Sequence, residues 1–89
     1  MTKRRRKLNK DFEKKIYSSK KNVELVLAKI YDIDDEDIQK EYMSAFNVVV
    51  YLYDALKEHY DQKGFNNDSE ELLMNYKNAF NNFESEFEI

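Results

Sequence analysis

The stretch IQKEYMSAFNVVVYLYDALKEH, residues 38 to 59, decides the fold. Ile38, Tyr42, Ala45, Val49, Leu52, Leu56 and His59 recur at alternating intervals of four and three, the repeat of one face of an α-helix. Val48-Val49-Val50-Tyr51-Leu52-Tyr53 has strand propensity, but the repeat continues on both sides of it without a turn residue, and helix is the consistent reading. Met43, Phe46, Val48, Val50, Tyr53 and Ala55 flank the stripe and leave Lys40, Ser44, Asn47, Asp54 and Glu58 on the far side. A helix with so wide an apolar arc has to be covered from two directions.

Working outward, Ile33-Asp34-Asp35-Glu36-Asp37-Ile38 reads as the start of this helix. Asp34 is the expected N-cap, the acidic first turn suits the helix dipole, and Ile33 is placed to staple onto Ile38. Gly64 supplies the stop, giving a helix over 35–63 of about 29 residues, roughly 43 Å long. Upstream, Phe12, Ile16, Val23, Val26, Leu27 and Ile30 share one face of a helix expected over 9–31, with a break conceivable at Ser18-Ser19-Lys20-Lys21-Asn22. Downstream, Asp68-Ser69-Glu70-Glu71 has a capping-box pattern with Asp68 as N-cap. It opens a third helix over 69–86 with Leu72, Tyr76, Ala79, Phe80, Phe83 and Phe87 as its stripe. The glutamates of Phe83-Glu84-Ser85-Glu86-Phe87-Glu88-Ile89 sit unfavourably at a helix C-terminus, so a frayed or short extended tail is expected.

Together these segments predict an all-α protein: a three-helix bundle over 9–89 with a long central helix, preceded by a flexible basic arm over 1–8. The flanking helices are expected to be shorter, about 30 Å each, so that part of the second overhangs. The composition agrees. A chain of 89 residues supports one core, and with no proline and a single glycine it lacks the punctuation of a turn-rich sheet protein. Cysteine is absent, which excludes disulfides and thiolate metal sites. No run approaches membrane-spanning length and no apolar segment follows the basic N-terminus, so a cytoplasmic protein is expected. Asn67-Asp68-Ser69 fits a glycosylation acceptor, read as coincidence in that setting.

The net charge of −3 conceals a strong asymmetry. Residues 1–22 hold ten Lys/Arg against Asp11 and Glu13, a net +8, while residues 23–89 hold five lysines against sixteen carboxylates, a net −11. Lys3-Arg4-Arg5-Arg6-Lys7, continued by Lys10, Lys14 and Lys15, is the expected nucleic-acid contact, since clustered cations displace counterions from phosphates. The same run suits an import signal, anionic lipid or an idle tail. The acidic remainder repels a duplex, and no recognition helix follows the second loop, so any such contact belongs to the arm alone. Alternatively, the acidic helices occupy a basic groove on another protein. Tyr17, Leu25, Tyr31, Tyr51 and Met74 fall off the apolar stripes and are the expected partner-binding residues.

The inventory for catalysis is poor. His59 is the lone histidine and has Ala55 and Lys63 at i−4 and i+4, so it lacks the second ligand of a helical metal pair and reads as structural or exposed. Asp32, Asp34 and Glu36 imitate the opening of a calcium loop, but Asp37 stands where glycine is required and Met43 where the bidentate glutamate belongs. One glycine cannot build a phosphate loop. No cofactor, metal or enzymatic activity is therefore expected. The expectation is a small binding protein, a regulator or inhibitor that docks on a host protein or a protein–nucleic acid complex. Its composition is of the kind an AT-rich phage or mobile element encodes, including inhibitors of host defence. The alternative is a self-associating assembly protein, a homodimer or larger, whose arm touches nucleic acid.

Overall fold

The computed structural model describes the backbone of residues 2–88 and the side chains of residues 9–88. The regular structure within that span is helical: α1 (Thr2–Tyr31), α2 (Glu36–Lys63) and α3 (Asn67–Glu86). They form an antiparallel three-helix bundle with α2 in the centre, packed on α1 along one side and more extensively on α3 along the other. The backbone of α1 starts at Thr2, ahead of the expected start at Asn9, so α1 spans 30 residues against 28 in α2. It runs alongside α2 as far as Tyr60, whose hydroxyl donates to the Asn9 carbonyl at 3.1 Å. The expected overhang of α2 is thereby covered.

No break occurs at Ser18–Asn22. Ser19 is buried, and its hydroxyl donates to the Lys15 carbonyl one turn back at 2.8 Å, which keeps the polar group satisfied within the helix. Its small side chain admits Tyr76 of α3, whose hydroxyl donates to the Ser19 carbonyl at 3.2 Å. Phe12, Ile16, Val23, Val26 and Ile30 are buried on the same face as expected.

Both later helices cap differently from the sequence expectation. The N-cap of α2 is Asp35 rather than Asp34, accepting from the amides of Asp37 at 2.9 Å and Ile38 at 3.1 Å. Gln39 then donates to the carbonyls of Ile30 at 3.2 Å and Tyr31 at 3.1 Å, satisfying acceptors that the end of α1 leaves open. With Asp35 as N-cap, the staple positions fall on Asp34 and Gln39 rather than on Ile33 and Ile38, and Ile38 is exposed. For α3, the N-cap is Asn66 rather than Asp68, and the helix starts two residues sooner. Gly64, at φ 69, ends α2 and its amide donates to the Tyr60 carbonyl at 2.8 Å. The chain then turns within two residues, so that the side chain of Phe65 lies 5.0 Å from that of Phe12 by ring centroids.

The buried face of α2 is rotated from the expected stripe. Phe46, Val49, Tyr53 and Leu56 are buried, while Tyr42, Ala45, Leu52 and His59 are half-buried. The cause is aromatic packing against α3. Phe46 meets Phe83 at 4.8 Å and Phe80 at 6.2 Å, and Tyr53 meets Tyr76 at 6.0 Å, all edge to face. On α3 itself Leu73, absent from the expected stripe, is buried beside Tyr76 and Phe83. The helix ends at Glu86 as expected. Phe87 is extended, with φ −124 and ψ 122, and its ring closes the core against Tyr42 at 4.8 Å.

Phe46→Ala is expected to cost about 3–5 kcal/mol in chemical denaturation, because Phe46 is fully enclosed between α2 and α3. Val49→Asp is expected to leave the chain unfolded, since an unpaired buried charge costs about as much as a domain of this size has to lose. Burial raises the pKa of Tyr76 and Tyr53 above the ordinary tyrosine value, because desolvation penalises the phenolate. The unfolded chain therefore ionises first, and stability is expected to hold up to a pH of about 10 and to fall as pH rises beyond it. Thermal melts across the alkaline range check this, and Tyr76→Phe should show a shallower decline.

Candidate functional site

The folded chain separates its charges along its length. Lys10, Lys14 and Lys21 are exposed and lie on α1 directly opposite the buried row of Phe12, Ile16, Ser19, Val23 and Val26, because they sit about half a helical turn away from it. Tyr17 falls between them on this outer face, and the Lys21 ammonium lies 4.8 Å from its ring centroid. Leu25, also exposed, and Ala28 continue the face toward the C-terminus. Lys10, Glu13, Lys14, Tyr17 and Ser18 frame a shallow hollow of about 590 Å³ on it. The arrangement is a cationic ridge carrying an aromatic ring, which can accept a row of phosphates and a stacked apolar group together.

Of the other expected nucleic-acid contacts, the side chains of Lys3, Arg4, Arg5, Arg6 and Lys7 lie outside the described residues. Lys15 is exposed but turns from the ridge toward α3. There, with Phe12, Phe65, Leu73 and Lys77, it lines a cleft of about 510 Å³ between the two helices. Met74 forms part of the same cleft.

At the opposite end of the bundle the C-terminus of α1, the N-terminus of α2 and the C-terminus of α3 come together. Their meeting is recorded by the Gln39 bonds to Ile30 and Tyr31 and by the Tyr42 hydroxyl, which donates to the Glu88 carbonyl at 3.3 Å. Asp32, Asp34 and Asp35 in the loop and Glu36, Asp37 and Glu41 at the start of α2 are exposed there. Glu84 and Glu86 of α3 and Glu88 just beyond it are exposed as well. Lys29 and Lys40 are the nearby cations, and Lys40 pairs with Glu36 at 3.6 Å. Tyr31 and Ile38 stand exposed among these carboxylates.

The five expected partner-binding residues are exposed, from 58% for Tyr17 to 71% for Tyr51, but the fold does not gather them into one patch. Tyr17 and Leu25 share the α1 ridge, Tyr31 belongs to the acidic end, Tyr51 stands with exposed Val48 on the outer side of α2, and Met74 lines the α1–α3 cleft. The periodicity concealed Ile38 and Val48, which it assigned to the apolar arc. It also concealed the acidic end, because the loop and the tail are far apart in sequence.

His59 is occupied in the fold. Its Nε2 lies 3.0 Å from Asn66 Oδ1, which also accepts the Ser69 amide at 3.0 Å as the N-cap of α3. An oxygen that already receives a donor fixes the amide orientation, so the hydrogen on this contact belongs to His59 Nε2. Ser69 completes the box: its hydroxyl accepts the Asn66 amide at 3.1 Å and donates to the Gly64 carbonyl at 3.0 Å. The imidazole thus braces a helix start. Among the described residues, no group of three or more His, Cys, Asp or Glu side chains is placed to hold a metal ion.

No protein family, curated protein or solved structure matches the chain. Among the described residues, no helix is long and apolar enough to cross a membrane.

His59→Ala is expected to lower stability by about 1 kcal/mol through the lost bond to Asn66, read by chemical denaturation, and to leave any binding by the α1 ridge unchanged. Loss of binding by a variant that is folded at the assay temperature would give the imidazole a direct role instead.

Proposed function

We propose that the chain is a non-catalytic binding module, a regulator or inhibitor, that docks on a protein–nucleic acid complex and lays the outer face of α1 along the phosphate backbone. The observation that carries this reading is the ridge of Lys10, Lys14 and Lys21 around Tyr17, exposed and opposite the core. Lys3 and Lys7 precede Lys10 and Lys14 at the same intervals of four and three, so the basic run has the spacing of a single helix face. Contact of this kind is independent of base sequence and steeply dependent on salt. The acidic α2 and α3 repel the duplex beyond the ridge, which confines the nucleic-acid contact to α1. They are free to face a basic surface of the protein that holds the nucleic acid. The Lys-, Asn- and Tyr-rich composition supports a phage or mobile-element product directed at a host complex.

The test is fluorescence anisotropy with a mixed-sequence duplex and a single strand over a series of salt concentrations. Binding should weaken linearly in log–log form with salt. Lys10→Glu, Lys14→Glu and Lys21→Glu combined should weaken it further and reduce the slope on duplex by roughly 2 to 3. Because these side chains are exposed, helix content and melting should stay near those of the parent. An unchanged slope in the folded triple variant would remove α1 as the contact.

A further inference from the structure

The outer face of α1 is an unpartnered helix face, and the same chain carries its complement at the other end. From Lys10 to Lys21 the ridge is about 16 Å long, and it is followed by the exposed apolar side chains of Leu25 and Ala28. The bundle measures 53 × 22 × 18 Å, so its acidic end presents a face of 22 × 18 Å with Tyr31 and Ile38 exposed within it. Charge sign and apolar content match: the three lysines outweigh Glu13 and Glu24 at the margin of the ridge, and Leu25 and Ala28 have Tyr31 and Ile38 as counterparts. The two surfaces lie on different parts of the molecule, and therefore one chain cannot satisfy itself.

We infer that a second copy of this chain covers the α1 face with its acidic end, so that self-association and nucleic-acid binding exclude one another. This rests on the reading of the α1 ridge as a charge-recognition surface and adds its regulation. Such a contact is heterologous, head to tail, and it grows into open chains rather than closing as a two-fold dimer. Its footprint, roughly 400 Å² per partner from the dimensions of the end, belongs to the weak and transient class. The association is expected at high protein concentration and low salt, and it should dissolve as salt screens the opposed charges. Nucleic acid, with its far denser charge, displaces the acidic end from the ridge, and the protein then acts as separate copies on its target.

Sedimentation velocity on the full chain at low salt, over a range of protein concentrations, tests this. The expected result is a sedimentation coefficient that rises with concentration and returns to the monomer value in high salt. Lys14→Glu with Lys21→Glu, and separately Asp32→Lys, Asp34→Lys, Glu41→Lys and Glu88→Lys together, should each stay monomeric. A mixture of these two variants should associate, since the unaltered acidic end of the ridge variant meets the unaltered ridge of the end variant. Recovery on mixing cannot arise from misfolding, which makes it the decisive readout. Adding a short duplex to the parent should disperse the assemblies as the duplex binds.

A monomer at every concentration in low salt, or swapped variants that fail to recover on mixing, overturns the inference. So does a duplex that binds without dispersing the assemblies. Failure of the nucleic-acid reading is seen separately, as absence of oligonucleotide binding at dilutions where the parent is monomeric.

Discussion

A helix that is apolar over more than half its circumference cannot rest against a single neighbour, and the whole architecture follows from giving α2 two. Phe46, Val49, Tyr53 and Leu56 form the axis of the core, and α1 and α3 meet chiefly through it rather than through each other. Every other device serves that arrangement. Gln39 ties the end of α1 to the start of α2, the Asn66–Ser69 box with His59 starts α3, and Tyr76 reaches across to the Ser19 carbonyl. The α1–α3 side consequently remains an open cleft floored by Phe12, Phe65 and Leu73.

Antiparallel packing on both sides of α2 has an electrostatic consequence. It places two helix C-termini beside the acidic start of α2. Glu84 and Glu86 lie in the last turn of α3, where the helix dipole disfavours negative charge and no basic residue compensates. Asp37 and Glu36, by contrast, are well placed at the N-terminus of α2. The α3 contribution to this end is therefore more acidic than the helix dipole favours.

Much of the fold was legible because burial imposes periodicity. The buried face of α1 matched its spacing almost residue for residue, since one helix packed on one side has one stripe. The α2 arc was legible in width but not in centre: its axis runs through Phe46 and Tyr53, positions that periodicity placed at the flank, because the rings of Phe80, Phe83 and Tyr76 fill that side. Caps were misplaced by one or two residues for a related reason. Several Asp and Asn side chains in each loop are competent to cap, and the choice falls to the neighbouring element that fixes the helix rotation, Gln39 for α2 and the tight turn after Gly64 for α3.

Local chemistry, then, was enough to determine the number of helices, their approximate limits except the start of α1, the wide apolar arc of α2 and the imbalance of charge between the first 22 residues and the rest. These depend on propensity and spacing within a single segment. Only the tertiary structure decided that the acidic loop and the acidic tail share one end, that Lys15 leaves the ridge for the cleft, and that Tyr17, Tyr31, Tyr51 and Met74 stand on separate surfaces. Those relations depend on how one helix is rotated against another, and that rotation is set by which aromatic rings interlock across the interface, a property of pairs of segments that no single stretch of chain contains.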